Sequence, residues 1–171
     1  MCVIIYKPAG KELPSLDILD KAYRRNPHGC GIVSPNVLYK GLSYTSFKKN
    51  LKRCNKEEPL LIHFRYATHG SVKKSNCHPF YDQETETYFM HNGIIGGINP
   101  PKDKTDSECA FRRILQPYIK RYGLDSVELL KTANQVRGFH SKFAFMQGDN
   151  VRLFGEFFQF QDCYFSNLRF L

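Results

Sequence analysis

No stretch of this chain approaches the roughly 18 apolar residues of a membrane span, so no membrane association is expected. No basic region followed by a long apolar run opens it, which speaks against a secretory signal. None of the six cysteines (Cys2, Cys30, Cys54, Cys77, Cys109 and Cys163) forms a C-x-x-C pair. Paired ligand spacing is therefore absent, and zinc is not expected. Scattered thiols without a signal fit a reducing cytoplasm better than a disulfide framework. There is no internal repeat, low-complexity tract or linker. Acidic residues are outnumbered, 16 against 25 Lys and Arg, for a formal net charge of +9. Such an excess favours an acidic partner, nucleic acid among them. No nucleic-acid motif accompanies it, and pairs such as Arg24-Arg25, Lys48-Lys49 and Arg112-Arg113 are spread out like solvated helix faces and loops.

The content is that of an ordinary folded chain: 42% hydrophobic and 24% charged over 171 residues. Disorder is excluded on composition, and the length predicts one domain spanning 1–171. Residues 2–6 predict a buried strand. Ser15 caps a helix that presents Leu16, Leu19 and Tyr23 on one face. The segment 26–31, with two glycines after a Pro, marks a tight turn. A hairpin around Pro35-Asn36 follows, then an amphipathic helix over 45–54, a central strand over 60–65 and another strand at 88–90. Thr105-Asp106-Ser107-Glu108 has the form of a capping box and predicts a helix to about residue 122, followed by a second over 126–136. The chain closes with strands near 142–146, 151–154, 157–158 and 164–166. This order suits layered sheets with helices outside and not a doubly wound parallel sheet.

Cys2 is the residue with the sharpest chemistry. With Met1 removed it carries a thiol and a free α-amine together. The amine, with a pKa of about 7.7–8.0, is a base close to neutral pH, and a nucleophile activated by its own amine is a known solution. Taken alone, a Cys at this position is more simply a small buried apolar residue.

Three polar stretches follow predicted strands. In His63 to Gly70, Arg65 ends an apolar run, and its planar fork suits a carboxylate; a structural ion pair is the plainer alternative. His91-Asn92-Gly93 contains a turn signal, yet an Asn amide beside a Gly N–H also supplies two donors for an oxyanion. In Thr105 to Glu108, capping employs Thr105 and Glu108 and leaves the Asp106 carboxylate for a cation. Arg65 and Asp106 together would clamp the carboxylate and amine of a free amino acid.

Met1-Cys2, the turn Asn26 to Gly31, His63-x-Arg65-Tyr66-Ala67-Thr68-x-Gly70, Asn76-x-His78-Pro79, His91-Asn92-Gly93-x-Ile95 and Thr105 to Glu108 occur in one order. In this conjunction the sequence resembles the class II glutamine amidotransferases of the N-terminal nucleophile hydrolase superfamily, over roughly residues 2–115. The resemblance implies an α+β fold, a four-layer αββα sandwich of two antiparallel sheets. It implies Cys2 as nucleophile, Asn92 and Gly93 as oxyanion hole, Arg65 and Asp106 on the α-carboxylate and α-amine of glutamine, and Thr68 and His78 lining or supporting the pocket. No cofactor is implied. The reaction would release glutamate and ammonia through a Cys2 thioester, in the cytoplasm.

Val3 stands where many members have Gly, Tyr66 where Trp is frequent, and His28 where Asp is common. The length leaves no room for a synthase domain, so a separately encoded synthase is expected to take the ammonia. Two other readings are an amidohydrolase acting on another amide and a catalytically silent binding module of this fold.

Overall fold

The computed structural model describes residues 2–68 and 70–171. Met1, whose removal the cysteine chemistry requires, and His69, within the stretch from His63 to Gly70, lie outside the described residues.

The chain runs β1 (Val3–Lys7), α1 (Leu16–Arg25), β2 (Cys30–Val33), β3 (Leu38–Gly41), α2 (Tyr44–Leu51), β4 (Leu60–Phe64), a 3-10 turn (Lys74–Asn76), β5 (Phe80–Asp82) and β6 (Thr87–Asn92). Next come α3 (Asp106–Ala110), a π-helical turn (Phe111–Leu115), α4 (Gln116–Tyr122), α5 (Val127–Arg137), β7 (Lys142–Gln147), β8 (Asn150–Phe154), β9 (Phe158–Phe160) and β10 (Cys163–Phe165). Among the described residues the strands form two sheets, ordered β3-β2-β4-β1-β10-β9 and β5-β6-β7-β8. Every pairing is antiparallel.

Period-two alternation explains the layers, because successive strand residues face opposite sides. In β1, Val3 and Ile5 point to α1 and α2 and join Leu19, Phe47, Ile62 and Phe64 in one core. Ile4, between them, faces the other sheet and meets Val33, Leu61, Met90, Ala144 and Met146. In the second sheet, Phe89, Phe143 and Phe145 point outward to α3–α5 and pack on Phe111, Leu115 and Leu129. Both sheets are thus buried on two faces, giving helix, sheet, sheet, helix, the expected four-layer sandwich.

Local sequence accounts for most element ends. Ser15 caps α1, its side chain accepting from Ile18 N. The buried face of α1 is Ile18, Leu19 and Ala22; Leu16, expected on it, is 60% exposed, because the apolar stripe is rotated toward Ile18 and leaves Leu16 at its margin. α2 starts at Ser43, which accepts from Ser46 N. Thr105 caps α3, accepting from Glu108 N at 3.1 Å. Glu108 binds Lys104 instead of closing a reciprocal box. The helical run from 106 to 122 widens into its π-helical turn just before Pro117, a residue with no N–H to give and a ring that crowds the preceding turn. β5 lies in a stretch for which the sequence predicted no element, and β6 runs on through His91 and Asn92.

One consequence of the antiparallel pairing positions the site. Val3 lies opposite Phe64 and Ile5 opposite Phe165. The start of β1, the end of β4 and the end of β10 therefore share one edge. Ser166 N donates to Ile4 O there. No helix among the described residues is long and apolar enough to cross a membrane.

Candidate active site

At that edge a small cavity is lined by Cys2, Arg65, Thr68, His78, Gly93 and Asp106, with Tyr66, His91, Thr105 and Ser107 completing the wall. Six of the seven site residues expected from the sequence therefore meet in one place. The seventh, Asn92, is buried beside it.

Cys2 Sγ lies 3.3 Å from Tyr66 N and 3.4 Å from Tyr66 O, accepting from the first and donating to the second. Cys2 O accepts from Asn167 Nδ2 at 2.8 Å. Burial pushes the thiol pKa up, against the smaller pull of the Tyr66 backbone bond and Arg65. A raised pKa means that the thiol does not ionise by itself at neutral pH, so its use as a nucleophile calls for a base.

Arg65 is 3% exposed. Its guanidinium donates to Ser71 O at 3.1 Å and Gly70 O at 3.4 Å. Its pKa is lowered by burial, with Cys77, Cys2 and Asp106 opposing. Asp106 is not left open by capping, as the sequence had suggested. Its Oδ2 accepts from Ile95 N and its Oδ1 from Ser107 N, both at 2.8 Å. Oδ1 is also 3.4 Å from Ser107 Oγ; these bonds fix the carboxylate at the start of α3, and Oδ2 keeps a second lone pair.

Gly93 has φ +137°. A Cβ there would lie 2.5 Å from Ser141 Oγ and 2.8 Å from Ser141 Cα. Only glycine fits, and Gly93 lines the cavity wall. Asn92 Nδ2 donates to Ser166 Oγ at 2.9 Å, and Asn92 Oδ1 has no partner among the described residues. One amide N–H is thus committed to β10, and a second remains.

Three histidines gather here, His78 and His91 in the cavity wall and His63 beside them. The His63 and His78 rings are 4.1 Å apart. His63 Nε2 is 2.9 Å from His91 O, and His91 Nδ1 is 2.8 Å from Ser107 Oγ. Burial lowers their pKa values, His63 to about 3 and His91 to about 4. His78 falls well below the usual range through burial and its histidine neighbours. All three are neutral near pH 7. No group of His, Cys, Asp or Glu among the described residues is arranged to hold a metal ion.

The profile of class II glutamine amidotransferases matches residues 46–155.

The chain belongs to the class II glutamine amidotransferases.

The matched stretch includes Arg65, Thr68, His78, Asn92, Gly93 and Asp106 but begins after Cys2. Glutamine–fructose-6-phosphate aminotransferase (isomerizing) of Pyrobaculum aerophilum is 32% identical over 104 residues, covering 54% of this amidotransferase and 17% of that protein. The probable glutamine amidotransferase DUG3 of Saccharomyces cerevisiae is 35% identical over 85 residues, covering 38% of this chain and 22% of its own. This amidotransferase thus spans under a quarter of the length of either relative. Among solved structures, glutamine phosphoribosylpyrophosphate amidotransferase from B. subtilis, complexed with ADP and GMP, aligns with a TM-score of 0.57. It covers 96% of this chain and 41% of that one at 18% identity, a likeness of fold.

Sequence reasoning missed Ser166 and Asn167. Ser166 Oγ accepts from Ile4 N at 2.8 Å as well as from Asn92. Asn167 holds the carbonyl of Cys2. The pair ties the end of the amidotransferase fold to its first strand. A Ser-Asn after a strand carries no distinguishing signal in sequence, so only the register of β10 against β1 brings them out.

Proposed function

We propose that this chain is the glutamine-hydrolysing part of an amide-nitrogen transfer system, with residues 1–171 forming one amidotransferase domain. The observation that carries the reading is the single cavity shared by Cys2, Arg65, Gly93 and Asp106. Removal of Met1 frees the Cys2 amine, which takes the thiol proton. The sulfur attacks the side-chain amide carbon of glutamine. The oxyanion receives the Gly93 N–H and the free amide N–H of Asn92. The carbon–nitrogen bond breaks, and ammonia leaves with the proton held by the amine. A γ-glutamyl thioester remains on Cys2. Water adds to it, glutamate departs, and the thiol is restored.

Arg65 binds the α-carboxylate and Asp106 the α-ammonium. The carbonyls of Gly70 and Ser71 accept from the guanidinium, and the cavity of about 20 Å³ has room for about one water. Glutamine therefore enters by moving the 70–71 segment off Arg65 and taking its place. Thr68 and His78 shape the wall. His78, neutral and buried, presents no charge to the substrate.

The ammonia passes to an acceptor enzyme on a separate chain, in the cytoplasm. The choice of free glutamine over another amide rests on Arg65 and Asp106 together, since a peptide-like amide lacks at least one of the charges they pair with. A catalytically silent module would have no use for Cys2, Arg65, Gly93 and Asp106 around one cavity.

Glutamate release from glutamine, followed for the wild type and Cys2→Ala with and without candidate synthases, tests the proposal. Turnover that disappears in Cys2→Ala is expected. A folded wild type lacking Met1 that releases no glutamate under any of these conditions overturns it.

A further inference from the structure

Beyond the His78-Pro79 segment lies a second concavity, a cleft of about 570 Å³. That size is within the range of small-molecule sites. Its floor includes Phe80, 2% exposed, and the half-buried rings of Tyr39 and Tyr81 stand in its walls. Lys40, Lys74 and Arg112 also line it.

Lys40 is the half-buried member of that trio, the other two being exposed. Its Nζ donates to Cys77 O at 3.0 Å and Pro79 O at 3.2 Å, and it sits 5.1 Å from the centre of the Phe80 ring. An ammonium has three donors, so one is left over after the two carbonyls. Burial lowers the Lys40 pKa, and Arg112 and Lys74 press in the same direction. Lining one cleft, the three cations repel one another. Glu108 opposes that repulsion, but its Oε1 is shared with Lys104. Its Oε2 is buried with no partner among the described residues.

We propose that this cleft is a second ligand site, taking a small molecule that joins a phosphate to a planar ring. The phosphate relieves the repulsion among Lys40, Lys74 and Arg112 and accepts charge-assisted hydrogen bonds from them. The ring lies against the aromatic floor and walls, where stacked or edge-on contact adds to simple burial. A hydroxyl or amino group on the ligand would satisfy Glu108 Oε2. Binding here is separate from glutamine chemistry, although the carbonyls that Lys40 holds flank His78 of the cavity described above.

Phenyl phosphate, phenol and inorganic phosphate, titrated separately into the full-length protein with chemical shifts as readout, test the proposal. Phenyl phosphate is expected to saturate one site and bind about tenfold or more tighter than either half alone. Lys74 and Arg112 are exposed and belong to no part of the glutamine cavity, so Lys74→Gln with Arg112→Gln leaves the fold intact. Losing charged hydrogen bonds is expected to weaken phenyl phosphate about tenfold or more. Lys52→Gln with Lys131→Gln removes the same charge from exposed surface and is expected to leave binding within about twofold. Phenyl phosphate binding no tighter than phosphate overturns the proposal, as does an equal loss in both double variants.

Discussion

Asn92 and Ser166, 74 residues apart in sequence, are joined by a buried 2.9 Å hydrogen bond between the end of β6 and the end of β10. The same Ser166 Oγ receives the N–H of Ile4, two residues from the sulfur. One hydroxyl thus fixes the spacing between the proposed nucleophile and the proposed oxyanion donor, across the gap between the sheets. Ser166→Ala removes the acceptor from two buried donors. A stability loss of about 1–3 kcal/mol is expected. Glutamate release is expected to slow about tenfold to a hundredfold with a nearly unchanged KM, the pattern of an interaction made in the transition state. Steady-state kinetics beside urea denaturation checks both, and a purely structural serine would lower stability without moving kcat per folded molecule.

Gly93 allows a sharper test. Its φ of +137° and the closeness of Ser141 both forbid a side chain. Gly93→Ala is expected to cost about 1–3 kcal/mol from backbone strain alone and to abolish turnover. Adding Ser141→Gly removes the hydroxyl but not the Ser141 Cα at 2.8 Å. The double variant is therefore expected to stay inactive, and full rescue in the glutaminase assay would show that Ser141 Oγ was the whole obstacle.

The three buried histidines predict how stability varies with pH. An unfolded histidine titrates near about 6.5, whereas His63 and His91 are held to about 3 and about 4. Between those values the unfolded chain binds more protons than the folded one, so stability falls as pH falls. It is fully present above about pH 6.5 and is lost progressively as pH drops toward about 4. Urea midpoints from pH 7.5 to 4.5 are expected to decline over this window. His91→Gln is expected to flatten the decline, because one titrating group is gone.

Arg65 should separate binding from chemistry. Arg65→Lys keeps the charge but loses the planar fork. KM for glutamine is expected to rise about ten- to a hundredfold with a smaller change in kcat. A glutamine analogue lacking the α-carboxylate should lose the same factor against wild type and little against the variant. Equal losses against both enzymes would place the carboxylate elsewhere.

Much of the fold was legible because its strands are apolar and their neighbours are turns. The runs Val3 to Tyr6 and Leu60 to Phe64 are buried on both faces and announce themselves. Caps at Ser15 and Thr105 mark helix starts by chemistry that acts over three residues. β5 escaped because three residues carry no period. The π-helical turn escaped because it is a response to Pro117 inside an otherwise regular helix. Arg65, Asn92, Gly93 and Asp106 were legible as charged and donor groups at element ends, whereas Thr68 and His78 came only with the family resemblance; with Cys2, all but Asn92 line one cavity. Ser166 and Asn167 escaped for the opposite reason, since their importance comes from register between the first and last strands. The engagement of Asp106 by Ile95 N and Ser107 N is likewise a tertiary fact.

The central claim is that the thiol at position 2 works with its own free amine. The most direct test is the intact mass of catalytically active protein before and after a glutamine-like diazo ketone, with the adduct located by peptide mapping. The account predicts a mass lacking Met1, one adduct on Cys2, and glutamate release lost in proportion to labelling. Fully active protein that retains Met1, or inactivation with the label on another residue, would contradict it.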